Sequence, residues 1–214
     1  MSVPRAVLFD FNGTLSQDEP LLLRIYQSLF ARYRKPLTEE QYFDRLAGLS
    51  EEAIIGGWLG VDGPLLGSLM AERIDAYATE AADGATVTED VRAAIRYAAA
   101  RVPVAIVSGA FRAEIEPVVA AAGLTEQITA IVAADDVERG KPHPEGYLRA
   151  LDLLGFDAVD VVALEDTEAG IAAAKGAGLT CIAVRGTLPD DRLAAADELV
   201  DAIDVALVDL LLAS

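Results

Sequence analysis

Cysteine and histidine are almost missing from this chain: among 214 residues, Cys181 is the one cysteine and His143 the one histidine. A lone thiol rules out an intrachain disulfide framework. Cys181 lies in the apolar run Thr180-Cys181-Ile182-Ala183-Val184 and reads as a buried, inert thiol in a reducing compartment. Positive charge is also scarce, with 17 Lys and Arg against 35 Asp and Glu for a formal charge of −18. No basic cluster stands out, so nucleic acid and anionic membrane are poor partners. Most of the acidity reads as solvated surface, although a local concentration of carboxylates can hold a divalent cation. No apolar stretch approaches the ~20 residues of a membrane span, and the N-terminus lacks the charged-then-apolar build of a signal peptide. The expected location is the cytoplasm.

What is present is a patterned, 53% hydrophobic chain, long enough for one domain or one domain with a smaller insert. Val7-Leu8-Phe9 is a short apolar run that ends in Asp10 and the turn Asn12-Gly13-Thr14, the signature of a buried strand delivering a carboxylate to a sheet edge. Helical spacing then takes over. Leu21, Leu22, Leu23, Ile25, Tyr26, Leu29, Phe30 and Tyr33 mark a first helix, with Pro20 in its first turn and Lys35-Pro36 closing it. Thr38-Glu39-Glu40-Gln41 opens a second as a capping box. Ser50-Glu51-Glu52 suggests a third and residues 63–82 a fourth. This strand-free stretch resembles an inserted helical unit, residues 16–84, within a core made of residues 1–15 and 85–214.

From residue 86 onward strands and helices alternate. Strands are predicted over 102–107, 128–133, 159–164 and 179–184, with helices over 89–101, 112–122, 144–154 and 168–177. A weak edge strand at 197–200 and a final helix at 204–212 complete the pattern. Such alternation with short connections implies an α/β fold, a parallel sheet covered by helices on both faces. The carboxyl ends of its strands share one edge, where such sheets bind ligands. Asp10, Ser108, Lys141 and Glu165-Asp166 all fall at those ends or in the adjoining loops. A carboxylate can be a nucleophile, a hydroxyl and an ammonium can hold phosphate oxygens, and two further acids can bind Mg²⁺. Singly each has a plainer reading: Ser108-Gly109 and Glu165-Asp166 as helix caps, Lys141 as a surface charge. Their joint occurrence in one order argues for a site.

The four segments Phe9-Asp10-Phe11-Asn12-Gly13-Thr14-Leu15, Ile106-Val107-Ser108-Gly109, Gly140-Lys141-Pro142-His143-Pro144 and Leu164-Glu165-Asp166-Thr167-Glu168-Ala169-Gly170 together resemble the four motifs of the haloacid dehalogenase-like (HAD) superfamily. The likeness covers essentially the whole chain and points to the branch similar to β-phosphoglucomutase and small phosphatases. It implies a Rossmann-like core with an α-helical cap and a hydrolase acting on a small phosphorylated metabolite. Asp10 would attack phosphorus to form an aspartyl-phosphate. Mg²⁺ would be held by Asp10, the backbone carbonyl of Asn12 and Asp166, and Ser108, Gly109 and Lys141 would hold the phosphoryl group. Glu165 would ligate the metal through water, orient Lys141, or stand behind the ligands as a supporting partner. A monomer or a homodimer fits the resemblance equally.

The chain departs from this pattern at two places. Phosphatases and mutases of the superfamily usually carry Asp two residues after the nucleophile as general acid and base, and Asn12 stands there instead. A carboxamide exchanges no proton near neutral pH, a function worth ~10²–10⁴-fold. The expectation is slow turnover, or turnover confined to esters with good leaving groups; the alternative is an impaired family member that binds a phosphorylated ligand or a protein partner. In the helical insert, Leu22 stands where sugar-phosphate mutases place a histidine. Glu51 in Gly48-Leu49-Ser50-Glu51 stands where an arginine often grips a second phosphate, so mutase activity is demoted. A dehalogenase would not need the acids at 165 and 166, and a phosphonatase would need an insert lysine, where Lys35 reads as a solvated helix-end charge. His143 reads as a loop-shaping residue. Tyr26, Phe30, Tyr33, Tyr42 and Phe43 read as apolar packing, and Trp58, flanked by glycines, as a candidate substrate contact.

Overall fold

Four short runs of Val, Ile, Leu, Ala and Phe have both faces shielded from water, and this sets the architecture. In a computed structural model, which describes residues 3–213, they form the centre of a six-stranded parallel sheet of order β3-β2-β1-β4-β5-β6. The strands are β1 (Ala6–Phe9), β2 (Val104–Val107), β3 (Ala130–Val132), β4 (Val161–Glu165), β5 (Thr180–Val184) and β6 (Glu198–Val200). Val7, Leu8 and Phe9 are fully buried, as are Ala105, Ile106, Ala163 and Leu164. Such continuous apolar strands, without polar alternation, are what a sheet covered on both sides demands. The register pairs Phe9 with Ile106 on one side and with Leu164 on the other. Strand order therefore reverses at β1: the chain builds outward to β3, then returns to β1's other side at β4. That reversal opens a crevice between the carboxyl ends of β1 and β4.

The helices follow the sequence periodicity closely. They are α1 (Glu19–Arg32), α2 (Glu39–Arg45), α3 (Gly57–Leu59), α4 (Gly63–Glu80), α5 (Glu89–Ala99), α6 (Arg112–Ala121), α7 (Glu145–Leu154), α8 (Glu168–Gly176), α9 (Asp190–Leu193) and α10 (Val205–Leu212). Thr38 caps α2 through the predicted reciprocal bonds with Gln41, satisfying two otherwise orphaned groups. The expected third helix is different. Residues Glu52–Gly56 form one wide π turn that runs into the short α3, and Gly60 in the left-handed conformation ends it. No helix among the described residues is long and apolar enough to cross a membrane.

Between α1 and α4 there is no strand, and these two helices pack on one another. Tyr26, Phe30 and Tyr42 are buried there with Leu21, Leu22, Ile25 and Leu29, so Tyr26, Phe30 and Tyr42 are packing residues, as expected. Trp58 is too. Its ring stacks on Phe30 at 6.1 Å and its Nε1 donates to the Lys35 carbonyl at 3.0 Å, which corrects its assignment as a substrate contact. Lys35 is likewise more than a solvated charge, since its ammonium donates to the Leu59 and Trp58 carbonyls at 2.7 and 3.2 Å and closes the end of α3.

A buried ionic cluster ties this helical segment to the sheet layer. Arg73 of α4 pairs with Glu114 of α6 and with Glu51, and all three side chains are at least nine-tenths buried. Tyr26 also donates to Glu51, and the Phe111 N–H donates to Glu114 at 3.0 Å. Burial pushes the Glu114 carboxyl up to about 7, against the pull of Arg73. A carboxyl raised in the folded state binds its proton more tightly there than in the unfolded chain, so its contribution to stability falls as pH rises from about 4.5 to about 7. Arg73→Ala leaves two buried carboxylates without their cation and is expected to cost about 3–5 kcal/mol near neutral pH. Urea denaturation checks this, and the loss should shrink as pH is lowered toward 5 and Glu114 becomes neutral.

Candidate active site

The crevice at the β1–β4 reversal is a cavity of about 260 Å³. Its lining includes Asp10, Ser108 and Asp166 from strand ends and Lys141 from the loop before the helix at Glu145. Its walls include Glu19, Leu22, Tyr26, Tyr42, Glu51 and Arg73 from the helical segment.

Asp10 follows β1, and its backbone N–H donates to the Leu164 carbonyl at 2.9 Å, which continues the β1–β4 ladder by one residue. Lys141 approaches from the loop before α7. Its ammonium lies 2.5 Å from Asp10 Oδ1 and 2.5 Å from Glu165 Oε1. Burial pulls the ammonium down, but the charges of Asp10 and Glu165 outweigh it and hold Lys141 above the ordinary lysine value. Glu165 is fully buried, and Tyr147 also donates to its Oε1 at 2.6 Å. Its other oxygen accepts the Asp166 N–H at 3.3 Å. Both Glu165 oxygens are thus engaged by the protein, which suits a carboxylate that orients Lys141.

Asp166 has a different environment. Fully buried, it takes hydroxyl donors from Thr14 at 3.1 Å and Thr187 at 2.5 Å and no cation. Burial, then the charges of Asp10 and Glu165, hold its carboxyl well above the ordinary value. One oxygen from each of Asp10, Glu165 and Asp166 falls within 4.8 Å of the others. Lys141 pairs with only two of these three carboxylates, so the cluster is short of positive charge, and an all-oxygen donor set of this kind suits a hard divalent cation such as Mg²⁺.

Two glycines make this crowding sterically feasible. Gly13 has φ +73°, and a Cβ there would lie 2.0 Å from Asp166 Oδ2 and 2.6 Å from Thr187 Oγ1. At Gly170 a Cβ would meet the Glu165 carboxylate at 1.9 Å. The loop that carries Gly13 is folded on itself by Gly13 N–H to Ser16 carbonyl and Ser16 N–H to Phe11 carbonyl bonds, each 2.8 Å.

Ser108 ends β2, and its Oγ accepts the Ala110 N–H at 3.0 Å, leaving the hydroxyl proton to donate elsewhere. Gly109 also lines the cavity, and its N–H has no protein acceptor among the described residues. Asn12 lines the same cavity, with its carboxamide fixed from behind: Nδ2 donates to Asp18 Oδ2 at 2.9 Å. Asp18 also accepts the Gly13 N–H at 3.2 Å and the Tyr77 hydroxyl, and burial pushes it up to about 6. His143 keeps to its turn, its Nδ1 accepting the Glu145 N–H at 3.2 Å. Cys181 is buried, and burial pushes its thiol up to about 12, so it is inert.

The residues predicted at positions 10, 12, 108, 109, 141 and 166 all line one cavity, and Glu165 lies behind Lys141. Glu51 is not the bare acid its sequence position suggested, because Arg73 and Tyr26 compensate it. Two cavity residues escape sequence reading. Arg73 looks like one surface charge among several on α4, and Glu19 like an ordinary acidic first-turn residue.

The haloacid dehalogenase-like hydrolase family matches this chain over residues 7–184, and the chain belongs to it. Within the family it is an enzyme of the branch similar to phosphatases and β-phosphoglucomutase. Validoxylamine A 7'-phosphate phosphatase of Streptomyces hygroscopicus subsp. limoneus is 31% identical, over 92% of either chain. N-acetylmuramic acid 6-phosphate phosphatase of Pseudomonas aeruginosa is also 31% identical, over 96% of this chain and 97% of that one. Among solved structures, a CbbY variant from Rhodobacter sphaeroides in complex with xylulose-(1,5)bisphosphate superposes with a TM-score of 0.83 and 29% identity, covering 94% of this chain and 95% of that one.

Because Gly13 carries a left-handed backbone against Asp166, Gly13→Ala is expected to lower stability by about 2 kcal/mol or more. Chemical denaturation measures it, and an alanine at exposed Gly109, where a Cβ would meet nothing, serves as the neutral control.

Proposed function

We propose that this chain is a Mg²⁺-dependent phosphatase of small phosphate monoesters that works through an aspartyl-phosphate at Asp10. The observation that carries the proposal is the excess of carboxylate over ammonium at the strand ends, with Asp10 held by Lys141 in a cavity of metabolite size. Asp10, the backbone carbonyl of Asn12 and Asp166 hold the cation, and Glu165 fixes Lys141 behind them. When bound, the cation neutralises charge on the phosphoryl oxygens and balances the crowded carboxylates. The protein's own groups do the rest. Lys141, the Ser108 hydroxyl and the Gly109 N–H hold the transferring phosphoryl group, and Asp10 Oδ attacks phosphorus in line with the leaving oxygen. Residues 16–84 act as a cap over a core of residues 1–15 and 85–214, and exclude bulk water from the aspartyl-phosphate. The phosphatase relatives support a small phosphorylated metabolite as substrate.

Mutase action fits less well. Arg73 is already bound to Glu51 and Glu114 and is no free cation for a second phosphate, and Leu22 offers no proton. A second reading, a pocket that binds a phosphorylated ligand or a protein partner without turnover, is favoured by one observation: Asn12 is held by Asp18 and supplies no proton.

Incubation with Mg²⁺ and p-nitrophenyl phosphate decides between them. Metal-dependent release of p-nitrophenol that Asp10→Asn abolishes and EDTA suppresses is the expected result. Binding of inorganic phosphate with no turnover of any ester would establish the binder instead. Asp166→Asn should weaken Mg²⁺ binding at least tenfold by calorimetry while leaving the fold intact.

A further inference from the structure

With Asn12 unable to move a proton, proton transfer falls to another group of the cavity wall. Most ionisable side chains there are already committed. Lys141 pairs with Asp10 and Glu165. Glu51 and Arg73 pair with one another. Burial, first among several causes, holds the hydroxyls of Tyr26 and Tyr42 far above neutrality, and Glu52 and Glu138 are exposed at the rim. Glu19 remains.

Glu19 stands in the first turn of α1 and lines the cavity with Asp10 and Asn12. It makes no ion pair, and its one side-chain hydrogen bond among the described residues comes from Tyr42, 2.7 Å from Oε2. Oε1 is therefore unengaged. We infer that Glu19 is the general acid and base of this enzyme, in place of the residue at position 12, with Tyr42 as the positioning residue that holds it over Asp10. The inference rests on the phosphatase reading above.

As Asp10 Oδ bonds to phosphorus, the bond from phosphorus to the ester oxygen breaks, and that oxygen keeps the electron pair and takes the proton of Glu19 to leave as an alcohol. Water then attacks the aspartyl-phosphate and gives its proton to the Glu19 carboxylate. The bond from phosphorus to Asp10 breaks, and the electron pair returns to Asp10. The net change is ester plus water to alcohol plus phosphate, with Glu19 restored. Burial pushes Glu19 up to about 7, opposed by the Tyr42 hydrogen bond and reinforced by the charges of Asp18 and Asp10. Asp166 faces it as well, and these are the groups that set its titration. A carboxyl near neutrality exchanges protons in both directions at working pH. Under this assignment esters with poor leaving groups are substrates too, which the Asn12 position alone did not lead one to expect.

The test compares wild type with Glu19→Gln, which keeps the shape and the ability to accept from Tyr42. Both are assayed with Mg²⁺ on p-nitrophenyl phosphate, phenyl phosphate and glycerol 2-phosphate. The expected result is a loss in kcat/KM of ~10²–10⁴-fold on glycerol 2-phosphate and of less than about tenfold on p-nitrophenyl phosphate, whose leaving group needs no proton. The variant should also release a burst of p-nitrophenol close to one per enzyme, because dephosphorylation of Asp10 lacks its base. Asn12→Asp introduced into Glu19→Gln should restore at least tenfold of the lost activity on glycerol 2-phosphate, which shows that the cavity is folded. Tyr42→Phe removes a bond that favours the carboxylate, so the alkaline limb of kcat/KM should move to higher pH. An equal loss on all three esters, or no loss, overturns the assignment while leaving the phosphatase reading standing. Wild type inert toward all three removes both.

Discussion

Three carboxylates crowded around one ammonium are the constraint on which the rest of this structure depends. Asp10, Glu165 and Asp166 are buried, and burying like charges together is costly unless donors and cations answer them. The fold answers with Lys141 between Asp10 and Glu165, with Tyr147 behind Glu165, and with the Thr14 and Thr187 hydroxyls on Asp166. These partners come from four separate parts of the chain. Gly13 and Gly170 are then required because no side chain can occupy the space the carboxylates need. The residual negative charge suits a hard divalent cation, and the charges of Asp10 and Glu165 hold Lys141 protonated.

The helical segment is bound to this centre by polar links as much as by apolar packing. Asp18 joins the Asn12 carboxamide to Tyr77 of α4, Arg73 joins α4 to Glu114 of α6, and Tyr42 of α2 reaches Glu19 at the start of α1. Each link is buried or partly buried, so separating the parts would leave polar groups without partners, a cost of order 1–3 kcal/mol apiece. Through the Tyr42 hydrogen bond, α2 fixes a carboxylate that lines the cavity.

Much of the fold was legible because it obeys local rules. Apolar runs closed by polar residues marked β1, β2, β4 and β5, and helical spacing marked α1, α2, α4 and most of the later helices. Boundaries moved where local signals are weak. β3 is only Ala130–Val132, at the edge of the sheet with a partner on one side, and the turn at Glu52–Gly56 widened beside paired glycines. At the cavity, Asp10, Ser108, Lys141 and Asp166 were visible because each interrupts a strand or opens a loop where a charge or hydroxyl has no packing reason to be. Glu19, Arg73 and Glu114 were not, since an acid or arginine on an amphipathic helix looks the same whether it faces water or a buried partner. Trp58 failed in the opposite direction: its glycine neighbours suggested a mobile contact, whereas its ring and N–H are consumed by Phe30 and Lys35.

By itself the sequence determined the strand-helix alternation, the parallel sheet that follows from it, and the strand-end chemistry, because these depend on periodicity and on residue type at element boundaries. Only the tertiary structure decided which charges neutralise one another, that Arg73 is spent on Glu51 and Glu114, and that Glu19 lines the cavity of Asp10 without an ion-pair partner among the described residues. The physical reason is that the strength and sign of an electrostatic interaction depend on burial and on distances between residues far apart in the chain, and spacing along the chain encodes neither.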